Sequence, residues 1–188
     1  GRIAAVKPDM IQAAAPKRPE IEPLKLDELI ARRAEMLTAY QNAAYADMYE
    51  ARIARVRAAE SNLGLGEQLT YAAATYLAKL MAYKDEYEVA RLYTRPEYKQ
   101  AVEDQFGKNT KLTFLLAPPM ISKKNHKGEL IKTSFGPWMM LSFKLLRKLK
   151  FLRGGSFDIF GKTEERAMER RLRDTYLCLL YTSPSPRD

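Results

Sequence analysis

The chain has one cysteine, one histidine and one tryptophan in 188 residues. With Cys178 alone, these residues can build no intrachain disulfide, no Cys-held zinc site and no iron–sulfur cluster. The single histidine, His126, lies in the polar run Lys123-Lys124-Asn125-His126-Lys127-Gly128. No second ligand stands at metal-binding spacing, so His126 reads as a solvated turn residue. No stretch reaches the roughly 18 apolar residues that a membrane span needs, and no signal-peptide hydrophobic region opens the chain. A cytoplasmic protein without a membrane partner is expected.

What is present is ordinary for a folded protein: 46% hydrophobic and 29% charged residues, with a net charge of +9. The length suits one domain. Residues 1–25 carry Pro8, Pro16, Pro19 and Pro23 and read as a linker arm from an upstream domain. The chain starts GRIAAVKP, without methionine, and is expected to be a segment of a longer protein. Residues 178–188, CLLYTSPSPRD, are similar to the translated read-through of a sequencing adapter. They are expected to be a non-native tail after a helical domain over 26–177.

Within that domain, Leu26, Leu29, Ile30, Leu37, Tyr40, Ala44, Met48, Ile53 and Val56 keep a helical face over about 35 residues. Asn62-Leu63-Gly64 is a stop, and a second long helix is expected from Glu67 to Tyr93. Pro96 restarts a shorter helix ending near Gly107. Lys111–Leu115 alternates like a half-buried strand, with Glu129–Phe135 as a possible return strand. A helix follows Gly136-Pro137, Gly154-Gly155 stops it, and Thr163 caps a last helix from Glu164 to about Leu177. The fold class expected is mainly α: a long antiparallel helical hairpin plus shorter helices, with a small two-stranded β element around 111–135.

Few residues suggest chemistry. Gly155 to Thr163, GSFDIFGKT, resembles a phosphate loop but places five residues between its glycines where four are required, and a basic helix precedes it in place of a strand. Gly64-Leu-Gly66 lacks a third glycine and a flanking strand for a dinucleotide site. Asp85, Glu86 and Glu88 read as surface charges, with Lys84 and Glu88 as an i,i+4 pair. Tyr76, Tyr83, Tyr87 and Tyr93 read as packing residues with hydroxyls at the polar rim. One feature stands out: Met120–Phe157 carries nine Lys/Arg against the single acid Glu129. Within it Lys144, Arg147, Lys148, Lys150 and Arg153 form a candidate docking face for an acidic partner. Nucleic acid is the weaker reading, because no recognised binding motif accompanies the charge.

The stretch YLAKLMAYKDEYEVARLYT (Tyr76–Thr94) resembles a block from the C-terminal region of the long, fused indolepyruvate ferredoxin oxidoreductases. LDELIARRAEMLTAYQNAAYADMY (Leu26–Tyr49), Leu112 to Pro119, Phe135-Gly136-Pro137-Trp138-Met139 and the Phe160–Glu169 block are similar to that family in the same order. The resemblance implies that the parent enzyme oxidises 2-oxo acids, notably aryl pyruvates, with coenzyme A, forming acyl-CoA and reducing ferredoxin. It implies thiamine diphosphate, magnesium and a [4Fe–4S] cluster in upstream regions. This segment has no Gly-Asp-Gly element for the diphosphate metal, so none of these cofactors is expected within it. No catalytic residue carries over, and the fragment alone is expected to be inactive. Its expected partners are the upstream catalytic domains, ferredoxin and, in a homo-oligomer, further copies. The rival reading is a stand-alone basic helical module for an acidic protein or nucleic acid.

Overall fold

The computed structural model describes residues 22–117, 126 and 131–181. It is mainly helical, with seven α-helices and one two-stranded antiparallel sheet among the described residues. The linker arm expected over 1–25 lies almost wholly outside them, as do Pro118-Pro119 and most of the turn around His126, which is itself exposed.

Helix α1 spans Leu26–Tyr40, and its first turn carries Asp27 and Glu28, which complement the positive end of the helix dipole. The expected continuous helix over 26–62 is not formed. Gln41 (φ −123°, ψ −80°) leaves the helical region, and Asn42 turns extended so that its side chain accepts a 2.9 Å bond from the Tyr45 N–H. Asn42 thereby starts a new helix, α2 (Ala43–Asn62). The break resets the buried face: Ala46 and Tyr49 enter the core, while Ala44 and Met48 of the uninterrupted pattern are exposed.

Gly64 and Gly66 follow α2 with φ of 66° and 81°, a region that glycine enters without a Cβ penalty. Helix α3 (Gln68–Met81) has no side-chain cap of its own. The cap comes from α2 instead. The buried Glu60 carboxylate accepts from the Leu69 N–H (2.7 Å), the Thr70 N–H (2.8 Å) and the Thr70 hydroxyl (2.5 Å). Three first-turn donors are thus satisfied by a residue on the preceding helix.

The second long helix is also broken. Helix α3 ends at Met81, and α4 (Glu86–Tyr93) restarts with Asp85 as its cap, accepting from the Glu88 N–H at 2.7 Å. Helix α5 (Pro96–Phe106) has proline in its first turn and ends at Gly107, φ 90°. Strand β1 (Phe114–Leu116) pairs antiparallel with β2 (Thr133–Phe135), Phe114 opposite Phe135. Helix α6 (Met139–Lys148) continues as one turn of 3-10 helix, Leu149–Leu152. Helix α7 (Glu164–Tyr181) runs past Leu177 into the segment expected as a tail, and Leu180 packs against the core.

Two apolar cores result. The first joins α1, α2 and α3, with Leu37, Tyr49, Ile53 and Leu77 buried at its centre and α7 packed on its side. Ala73, Ala74 and Ala78 keep one face of α3 small and let its neighbours approach closely. Each large side chain buried here contributes about 1.5–3 kcal/mol. The second core joins α4, the sheet and α6 around Ala90, Phe114, Met139 and Phe143. Its Tyr93 ring stacks on Phe143 at 5.3 Å and meets Phe114 edge-on at 5.2 Å.

Candidate functional site

The richest polar constellation lies where the two cores meet. Helix α1 has no basic residue in its last turn, so its terminal carbonyls need donors from elsewhere. They come from the segment after α6. Lys150 Nζ donates to the Ala39 carbonyl at 2.8 Å, and the Arg153 guanidinium donates to the Tyr40 carbonyl and to Gln41 Oε1. The same guanidinium makes a two-pronged ion pair with Asp85, one bond being 2.9 Å, and lies 3.7 Å over the Tyr40 ring. The two paired side chains are only 6% and 4% exposed. Arg153 therefore ties the end of α1 to the start of α4.

Electrostatics follow from that placement. Burial is the largest influence and opposes the Arg153 charge, but the hydrogen bonds to Asp85 together with the nearby Tyr40, Asp85 and Glu88 outweigh it and hold its pKa above the ordinary arginine value. Burial, with Arg153 and Arg91 nearby, pulls Lys150 below the ordinary lysine value. The Tyr40 hydroxyl is driven strongly upward by burial and then by Asp85, and it has no hydrogen-bond partner among the described residues. Glu86 is raised chiefly by burial, and its Oε2 is likewise unpartnered there.

The glycine-rich loop before α7 closes on itself. Asp158, 4% exposed, accepts from the N–H groups of Gly154 (2.7 Å), Phe160 (3.2 Å) and Gly161 (3.0 Å), and from the Tyr87 hydroxyl at 3.3 Å. Backbone donors that would surround a phosphate in a phosphate loop are here directed at an internal carboxylate. A Cβ at Gly161 would collide with that carboxylate, so this glycine is required by close approach. Thr163 Oγ1 accepts from the Arg166 N–H at 3.4 Å at the start of α7.

The five cations proposed for docking divide in two. Lys144, Arg147 and Lys148 are exposed on α6. Arg153 is withdrawn into the interior and Lys150 is bound to α1, so neither stands free on the surface. The acidic cluster is corrected in the same way. Asp85 is buried, and Glu88 pairs with Arg91 at 2.7 Å in place of Lys84. Sequence reasoning missed both Arg153 and Glu60 because their partners lie on other elements. No local signal marked either one, because the end of α1 at Tyr40 is set by the break at Gln41-Asn42, across which the apolar period continues. Between the exposed lysines, α6 also presents Leu141 and Leu145, with Phe151 exposed just beyond. The outer face of α6 thus mixes positive charge with apolar area. Among the described residues no group of three His, Cys, Asp or Glu is arranged to hold a metal. No helix there is long and apolar enough to cross a membrane.

The profile of the Family of unknown function (DUF6537) matches residues 26–184. The chain belongs to that family. The DUF6537 match spans both cores and the junction between them. No curated protein and no solved structure matches the chain.

Proposed function

We propose that this DUF6537 chain is a non-catalytic segment of an indolepyruvate (2-oxoacid):ferredoxin oxidoreductase, packing on the catalytic regions and presenting a basic face to ferredoxin. The observation that carries the reading is the ordered similarity of the sequence blocks from Leu26 to Glu169. Their place in the fold supports it. Tyr40 and Gln41 come from the first block, Asp85 and Tyr87 from the tyrosine-rich block, and Phe160 from the last; Tyr87 packs edge-on to Phe160 at 5.3 Å. Three of the five blocks therefore meet at the junction between the two cores, while the blocks at Leu112 and Phe135 supply the sheet beside the second core.

The parent's thiamine diphosphate, magnesium and [4Fe–4S] cluster belong to other regions. One cysteine and no Gly-Asp-Gly element do not fit them, and no step of the reaction is assigned to residues of this segment. The exposed face of α6 supports packing and docking, since Leu141, Leu145 and Phe151 offer apolar area and Lys144, Arg147 and Lys148 an attraction for acidic surfaces. The test is to purify the product of the uninterrupted reading frame that contains this chain. It is then assayed for ferredoxin reduction dependent on both an aryl pyruvate and coenzyme A. Activity dependent on both substrates supports the reading. A product without it, with tight binding to acidic proteins or nucleic acid instead, favours the stand-alone module.

A further inference from the structure

Helix α5 buries none of its eleven residues, yet it is not apolar-free. Tyr98 and Val102 are half-buried and face a cleft of ≈ 570 Å³ shared with the 107–112 loop, β1 and α6. Tyr93, Leu112, Phe114 and Met140 also line it, and the Tyr93 ring meets Tyr98 edge-on at 5.1 Å. The lining is therefore apolar and aromatic, and the volume falls within the roughly 300–1,000 Å³ typical of small-molecule sites.

Charge around the cleft is one-sided. Its lining includes Arg95, Lys99, Lys108, Lys111 and Lys144 against the single acid Glu103. Arg95 pairs with Glu97, and Lys99 with Glu103. Lys108, Lys111 and Lys144 make no ion pair with any described residue. Apolar lining together with exposed, unpaired ammonium groups is complementary to a molecule with an apolar body and an anionic end. We propose that the cleft between α5 and the β1–α6 side of the second core binds a small amphipathic carboxylate. Its apolar body lies against Tyr93, Val102 and Phe114, and its carboxylate meets Lys108, Lys111 and Lys144. The site goes beyond the enzyme assignment and does not depend on it.

The probe is decanoate, kept below micelle-forming concentration and titrated calorimetrically into the whole 188-residue chain. Saturable binding is expected. Octanoate binds on the order of tenfold more weakly, because each methylene is worth about a fourfold change. Decyltrimethylammonium does not bind, and 1-decanol binds at least about tenfold more weakly than decanoate. Val102→Trp, which fills the cleft, and the surface double reversal Lys108→Glu/Lys111→Glu each weaken decanoate by about tenfold or more with the circular dichroism unchanged. The double reversal keeps the test decisive if the tryptophan variant does not fold. Absence of saturable binding, equal binding of the alcohol, or decanoate binding unaffected by the double reversal overturns the proposal. So does binding of an acidic amphipathic peptide where decanoate fails.

Discussion

Replacing Arg153 with methionine keeps much of the side-chain volume and removes every polar contact that joins α1 to α4 through this residue. Lost are the two-pronged pair with Asp85, the bonds to the Tyr40 carbonyl and Gln41 Oε1, and the stack on the Tyr40 ring. Asp85 keeps its cap bond to the Glu88 N–H but is left charged and buried. Breaking a buried pair from one side costs about 3–5 kcal/mol, a large share of the roughly 5–15 kcal/mol that holds a domain folded. At about 2–4 °C per kcal/mol for a chain of this size, Tm falls by roughly 6–20 °C. Urea unfolding followed by far-UV circular dichroism measures the change as a lower midpoint at unchanged slope. Asp85→Asn combined with Arg153→Met should cost less than the sum of the single changes by about 2 kcal/mol or more, since the pair is then removed from both sides. An Arg153→Met protein within about 1 kcal/mol of the parent, or strictly additive effects, would refute the reasoning.

Tyr40→Phe removes a buried hydroxyl that has no partner and keeps the ring under Arg153, so urea unfolding should show stability unchanged or raised, by up to about 1–3 kcal/mol. Glu60 is held below its ordinary pKa of 4.5: burial opposes its ionisation, but the Thr70 hydroxyl and the Thr70 and Leu69 N–H groups prevail. A depressed carboxylate contributes stability above its unfolded pKa and loses it as pH falls through the folded value. Urea midpoints of Glu60→Gln should therefore lie below the parent at pH 7 and converge with it below about pH 4.5. Gly161→Ala forces a methyl group against the Asp158 carboxylate, which three backbone N–H groups hold in place, and thermal unfolding should register a loss of about 1–3 kcal/mol.

Local signals in the sequence located most of the elements. Pro96 starts α5, Gly64 and Gly66 end the turn after α2, and the alternation through Leu112, Phe114 and Leu116 marks β1. The two helix breaks were not legible, although each carries a capping residue. Asn42 and Asp85 are tolerable inside a helix, and the apolar period on either side continues closely enough to hide the reset at Ala46 and Tyr49. Asp85 looked like a surface acid because its partner, Arg153, is 68 residues away. The basic run from Lys144 to Arg153 shows its sign in the sequence but not its direction. Three of its cations stay outside on α6, while two turn inward to carbonyls whose need for donors is set by where α1 ends. Tertiary pairing, not local preference, decided both.

The most direct test of the functional account uses the enzyme from the full reading frame carrying Lys144→Glu, Arg147→Glu and Lys148→Glu together, with ferredoxin reduction measured across salt concentrations. All three positions are exposed on α6, so folding should be preserved. The account predicts an apparent KM for ferredoxin about tenfold higher at low ionic strength, narrowing as salt screens the charges, with kcat and the KM for the 2-oxo acid unchanged. A ferredoxin KM unaffected by the three reversals would contradict the docking role, and an enzyme that reduces no ferredoxin with any aryl pyruvate would contradict the assignment itself.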